Sequence, residues 1–158
     1  RAQRQWLSRT LKSSQRQKND LCLVVGHLPL TAFSQGRARA GECIHDAASL
    51  ADELRQAQVD LLISGHHHAW YPAEALGLRL LSLGAMGSGP RRLIGSDRIS
   101  PPSLTLIDWS ETDQTTKETT LNLNDLTPMQ TAMLPERILV PGFAEARRRS
   151  SQWTRRLF

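Results

Sequence analysis

Four of the five histidines in this 158-residue chain fall into two groups whose residue types and spacing suit metal chemistry. His27 follows Gly26 in "LCLVVGHLPL", and His66, His67 and His68 follow Gly65 in "VDLLISGHHHAW". Each group stands directly behind a short, branched apolar run of strand length. Ligand sites in open α/β sheets collect at the carboxyl ends of strands, and a glycine there lets the backbone turn tightly. Two neighbouring parallel strands would set His27 beside His66 and His68. Residues two apart in an extended segment point the same way, so His66 and His68 are expected to share a face and His67 to point away. Neutral imidazoles are a borderline-soft donor set suited to Zn, Fe, Mn or Co. His45 stands alone at a helix start and reads as an ordinary histidine of intermediate burial.

The elements that must position these rings are legible in outline. Residues 2–17 carry good helix formers, with Trp6, Leu7 and Leu11 on one apolar stripe. "LCLVV" and "VDLLIS" read as strands buried on both faces. Thr31 to Gly41 reads as a basic loop, and Asp46 is placed to cap a helix reaching about Gln58, with Leu50 and Leu54 one turn apart. The strand-helix-strand order predicts an α/β layered domain. "LRLLSL", "SLTLIDW" and "KETTLNL" then read as strands without intervening helices, the last two alternating as half-exposed antiparallel strands do. The domain is expected to span residues 1–123. Residues 124–158 read as an irregular extension, broken by Pro128, Pro135, Pro141 and Gly142, that ends in a short basic helix over Ala144 to Arg156.

Composition excludes several classes. Hydrophobic residues make up 39% and charged residues 22%, which is ordinary globular usage. No apolar run reaches the ~18 residues of a membrane-spanning helix. The net charge of +5 resides wholly in residues 137–158, which hold six arginines and one glutamate. Such a tail is expected to be a solvated terminal helix, with contact to a polyanion such as anionic lipid or nucleic acid as the functional alternative. On that reading, removing residues after Pro141 leaves hydrolysis of a small soluble substrate intact. Cys22 and Cys43 are too few for a disulfide scaffold and lack a Cys-x-x-Cys spacing. Cys22 reads as a small core residue, and Cys43, in a polar loop, as a thiol open to reaction. The opening on Arg1, in a polar stretch without an initiator Met, reads as an internal cut.

"VVGHLPL" resembles the Gly-His-x-Pro motif, and "VDLLISGHHHAW" the Gly-His-x-His motif, of the calcineurin-like metallophosphoesterases, the superfamily that includes the purple acid phosphatases. "QWLSRTL" resembles the family's Trp-Leu helix, and "LLSLGAMGSGP" its later Gly-rich loop. The similarity extends over roughly residues 3 to 107, a domain-scale stretch. "HAWYP" departs from the His-Ala-Tyr-Glu-Arg typical of purple acid phosphatases. The resemblance implies a four-layer α/β/β/α fold, of which this chain supplies one sheet and its helices. It implies phosphoester hydrolysis by a metal-bridging hydroxide at a dinuclear centre of two divalent or trivalent ions, Mn, Fe or Zn. His27 and His66 would hold one metal and His68 the other.

The family's remaining ligands lie in an Asp-x-His, a Gly-Asp-x-x-Asp and a Gly-Asn-His-[Asp/Glu], none of which is in this sequence. The expectation is therefore the C-terminal portion of a larger enzyme, inactive alone and without a catalytic proton donor of its own. Arg37 and Arg39 are candidates to bind the substrate phosphate. Gly84, Gly87, Ser88 and Gly89 are candidates to offer backbone N–H groups to an anion. Two other readings compete with the enzyme. One is a degenerate, non-enzymatic domain holding a single metal on histidines, and the other is a basic interaction module working through the tail. Asp46, Asp60 or His45 would be the reserve ligands if the site were complete within this chain.

Overall fold

Both apolar runs form parallel strands. In the computed structural model, which describes residues 2–17, 20–87 and 89–155, β1 (Leu23–Gly26) pairs with β2 (Leu61–Ser64) from Leu23↔Leu61 to Gly26↔Ser64. The crossover between them contains α2 (Ala47–Gln56), preceded in the chain by α1 (Ala2–Ser13). β2 is buried along its whole length, as an apolar strand between two covered faces should be. β1 is not: it forms the sheet edge, and Leu23 and Val25 are 39% and 73% exposed. The expectation of a doubly buried "LCLVV" is corrected, because no described strand or helix covers the outer side of β1.

β3 (Tyr71–Ala75) and β4 (Leu78–Ser82) form a hairpin whose turn, Leu76-Gly77, has positive φ at both residues, the geometry that matches strand twist. The first sheet runs β1-β2-β4-β3-β8-β7, where β7 is Arg137–Ile138 and β8 is Ala146–Arg148. The second sheet is antiparallel and runs β5-β6-β9, where β5 is Ser103–Ser110, β6 is Thr115–Asn122 and β9 is Gln152–Thr154. The chain thus has an α/β fold with strands in two sheets rather than one. Its described layers are helices, six-stranded sheet and three-stranded sheet.

Alternation in β2 sorts its side chains between two cores. Leu62 packs with Leu50 and Leu54 of α2 under the helices, while Leu61 and Ile63 pack with Trp70, Leu81 and Trp153 between the sheets. Leu7 and Leu11 of α1 rest on the first core, but Trp6 is exposed, so the apolar stripe is narrower than the sequence pattern implied. Asp46 sits at the N-cap of α2 without a capping bond. Its carboxylate accepts instead from Arg4 Nη1 at 2.8 Å, and Arg4 Nε reaches Glu53 at 2.6 Å.

The basic helix expected over Ala144 to Arg156 is replaced by β8 and β9, with Arg156 outside the described residues. The cause is local partnering. β3 offers an open edge that takes β8, β6 takes β9, and the tail arginines find oxygen atoms inside the chain. Arg149 donates to the Ala73, Leu80 and Ser150 carbonyls and pairs with Glu118 at 2.8 Å, with side chains 6% and 2% exposed. Trp153 Nε1 donates to the same Glu118 oxygen at 2.8 Å, and Arg155 Nε pairs with Asp60 at 3.1 Å. Arg148 donates to the Leu134 carbonyl, and Arg147 pairs with Glu145. Among the described residues no helix is long and apolar enough to cross a membrane.

Candidate metal centre

The parallel register carries the first part of the site. Gly26 lies opposite Ser64, so His27 emerges level with Gly65, whose N–H donates to the His27 carbonyl at 3.2 Å. His66 Nδ1 then lies 2.9 Å from His27 Nε2, with ring centroids 4.8 Å apart. Two nitrogens each about 2.0–2.1 Å from one cation stand roughly 2.9–3.4 Å apart. The pair therefore fits a shared metal ion on distance and on donor type.

The triplet is not extended. His66 and His68 have φ of +59° and +49°, and the His67 N–H turns back onto the Gly65 carbonyl at 2.6 Å. His67 does point away, as expected, and is fully buried at 0% exposure. His66 and His68 turn to different neighbours. His68 Nδ1 lies 2.9 Å from the Gly89 carbonyl, which only accepts, so Nδ1 carries the proton and Nε2 the lone pair. Gly89 thus serves the site through its carbonyl, at φ +63°, while Ser88 lies outside the described residues. Among the described residues no group of three or more His, Cys, Asp or Glu is arranged to hold a metal ion. The two imidazole nitrogens already brought together at the candidate site are those of His27 and His66.

His67 is a strut. Its Nδ1 accepts from the Phe33 and Ser34 N–H groups at 3.0 and 3.2 Å, and its Nε2–H donates to the Glu42 carbonyl at 3.1 Å. Burial, before any charge effect, pushes its pKa down to about 4, so the ring is neutral at neutral pH.

Glu42 is the site residue that sequence reasoning missed. Its side chain is 11% exposed, and its Oε2 lies 2.6 Å from His66 Nε2. Arg37 Nη1 bonds the same oxygen, and Arg39 holds Oε1 through Nε and Nη2 at 3.2 and 3.0 Å. The Arg37 bond first, then His66 and Arg39, hold the Glu42 pKa down at about 2. Both candidate substrate arginines are thus engaged with a carboxylate, and Arg37 Nη1 stands 3.5 Å from His66 Nε2. The only signal in "RARAGEC" was one acid in a basic loop.

His45 is exposed, as is Asp46, and Asp60 is committed to Arg155 and to the Cys22 N–H. The expectation of a reactive Cys43 is corrected. The residue is buried, and burial first, then Glu42, pushes its thiol up to about 11. Burial also raises the Cys22 thiol. Iodoacetamide at pH 8 should therefore label neither cysteine in the folded protein and both after denaturation, read by intact mass. Rapid native labelling of Cys43 would contradict the buried geometry.

Comparison with known proteins bears on this arrangement. Residues 1–70, which contain both Gly-His loops, match the family described as calcineurin-like phosphoesterase. A comparison with curated proteins gives no match. Among solved structures, GAP50, the anchor in the inner membrane complex of Plasmodium, aligns with a TM-score of 0.62 at 18% identity. The alignment covers 78% of this chain and 39% of that one, so this chain spans well under half the length of GAP50. Zinc-complexed wild-type Vps29 of Entamoeba histolytica aligns at 25% identity and a TM-score of 0.35, over 72% of this chain and 50% of that one. A single-mutant Vps29 of the same organism aligns at 17% identity and 0.38, over 79% and 87%. Residues 1–70 are thus similar to the calcineurin-like phosphoesterase family, and the mixed two-sheet fold of the chain is shared with GAP50.

Proposed function

We propose that this chain contributes part of a dinuclear metal centre that hydrolyses phosphoesters, with His27 and His66 on one cation and His68 on the other. The observation that carries the reading is the 2.9 Å approach of His27 Nε2 and His66 Nδ1 at the ends of two parallel strands. When bound, divalent or trivalent cations (Mn, Fe or Zn) supply Lewis-acid activation of water and neutralise phosphate charge. The chain's own residues hold and orient. His68 is turned by Gly89 so that Nε2 carries its lone pair, and Arg37, beside His66, and Arg39, on the other Glu42 oxygen, are the groups proposed to meet a phosphate oxygen. The remaining ligands and the proton donor are proposed to come from sequence outside these residues. The Asp-x-His, Gly-Asp and Gly-Asn motifs that would supply them are absent here, and Leu23 and Val25 stay exposed on the β1 edge.

A second reading is a non-enzymatic centre in which the histidines hold one ion without turnover. It is favoured by the lack of a preformed three-residue ligand group among the described residues. Metal content by mass spectrometry and aryl phosphate hydrolysis together separate the two. In the complete protein, His27→Ala, His66→Ala and His68→Ala should each lower bound metal and turnover in parallel, by more than the roughly 10–100-fold typical of losing a residue that only orients a ligand. Residues 1–158 alone should bind metal weakly and turn over poorly. Bound metal without turnover in the complete protein supports the second reading. Undiminished metal in all three variants overturns both.

A further inference from the structure

We infer that Glu42 is a positioning residue that fixes the His66 tautomer and thereby makes Nδ1 its metal-facing atom. The inference rests on the metal centre proposed above and adds to it a residue that no motif assigns.

The argument begins with what holds Glu42. Its main-chain carbonyl accepts from His67 Nε2, and the following Ile44 N–H bonds the Pro29 carbonyl at 2.9 Å, so the backbone is tied to the loop carrying His27. Its carboxylate is gripped at both oxygens, Oε1 by Arg39 and Oε2 by Arg37. The orientation of the group is therefore set without His66. A carboxylate flanked by two guanidinium groups accepts and does not donate. His66 Nε2, 2.6 Å from Oε2, must then carry the proton. Arg37 Nη1 and His66 Nε2, both donors to one oxygen, stand 3.5 Å apart, as two groups sharing an acceptor do. A neutral imidazole protonated at Nε2 has its lone pair on Nδ1, the atom that faces His27 Nε2. Carboxylates that hold the far nitrogen of a metal-ligating histidine set ring orientation and ligand basicity, and their loss typically lowers metal affinity 10–100-fold.

Two measurements test this. In the metal-free protein, long-range nitrogen–proton correlation spectra should show His66 as a single tautomer protonated at Nε2, and Glu42→Ala should remove the hydrogen-bonded Nε2 proton signal. A His66 protonated at Nδ1 would overturn the inference. In the second measurement Zn(II) alone is titrated against a chelator. Glu42→Ala should weaken binding 10–100-fold. Glu42→Gln, which breaks the arginine ion pairs equally but keeps an oxygen that accepts from Nε2–H, should recover most of that loss. Equal losses in both variants would mean that Glu42 acts only by holding the arginine loop, and would overturn the inference. Failure of the unaltered protein to bind Zn(II) would overturn the proposed centre, and the tautomer spectrum would then decide the role of Glu42 by itself.

Discussion

His67→Ala is expected to destabilise the fold by about 3–5 kcal/mol, from the loss of three buried hydrogen bonds and the cavity left by the ring. The ring is fully buried, and its two nitrogens satisfy the N–H groups of Phe33 and Ser34 and the carbonyl of Glu42. Each buried polar group left without a partner costs roughly 1–3 kcal/mol, and entry of water into the cavity recovers part of the sum. The effect should extend to the proposed metal centre, because the Glu42 segment would lose its anchor. His67 occupies the variable position of its motif, and on motif logic alone its loss would be mild. Urea denaturation measures the difference, and a loss below about 1 kcal/mol would show that the strut is dispensable.

The same ring makes stability depend on pH. An unfolded histidine takes up a proton below about 6.5, whereas folded His67 does so only near 4. The unfolded state therefore binds more protons throughout that window, and stability must rise with pH across it. The contribution is fully present above about pH 6.5 and is lost as pH falls toward 4, by at most about 3 kcal/mol for this group. In the metal-free protein, His67→Ala should flatten that slope. An unchanged slope would assign the pH dependence to other groups.

Much of the frame was legible because it obeys strong local rules. Apolar runs gave β1 and β2, alternation gave β5 and β6, and the glycines before His27 and His66 marked the strand ends that meet in the structure. What escaped had no local signal. β3 is "YPAEA", whose proline and alanines carry no strand signal, yet β4 and β8 pair with it from either side. β8 and β9 are three residues each and exist only because another strand's edge accepts them. Burial of β1 was overestimated because apolar content says nothing about whether a strand lies at an edge. Alternation predicted the direction of His67 correctly, although positive φ at His66 and His68 removed the extended backbone on which that argument depended. Glu42 became visible only when folding placed a loop carboxylate 24 residues upstream against His66.

Deleting residues 142–158 is expected to abolish cooperative folding, the reverse of what a solvated basic tail would do. The deletion removes β8 from the β3 edge and β9 from β6, and takes Arg149, Trp153 and Arg155 with them. Glu118 would be left buried without the donors Arg149 and Trp153, and among the described residues Asp60 would keep the Cys22 N–H but lose Arg155. Stripping one partner from a buried ion pair costs about 3–5 kcal/mol, and two such pairs are affected. Exposing the core around Trp153 adds about 2 kcal/mol. The total is comparable with the roughly 5–15 kcal/mol that holds a domain together. Thermal melts followed by circular dichroism should lose their sigmoidal transition. Arg149→Ala alone should lower the midpoint by several degrees, whereas Arg147→Ala, whose exposed side chain pairs with Glu145 at the surface, should leave it nearly unchanged. A truncated protein that still melts cooperatively would show that the two sheets hold without their Arg149–Glu118 tie. Loss of the transition would place the tail in the frame that carries His66, because β8 braces β3, β3 braces β4, and β4 is the direct neighbour of β2.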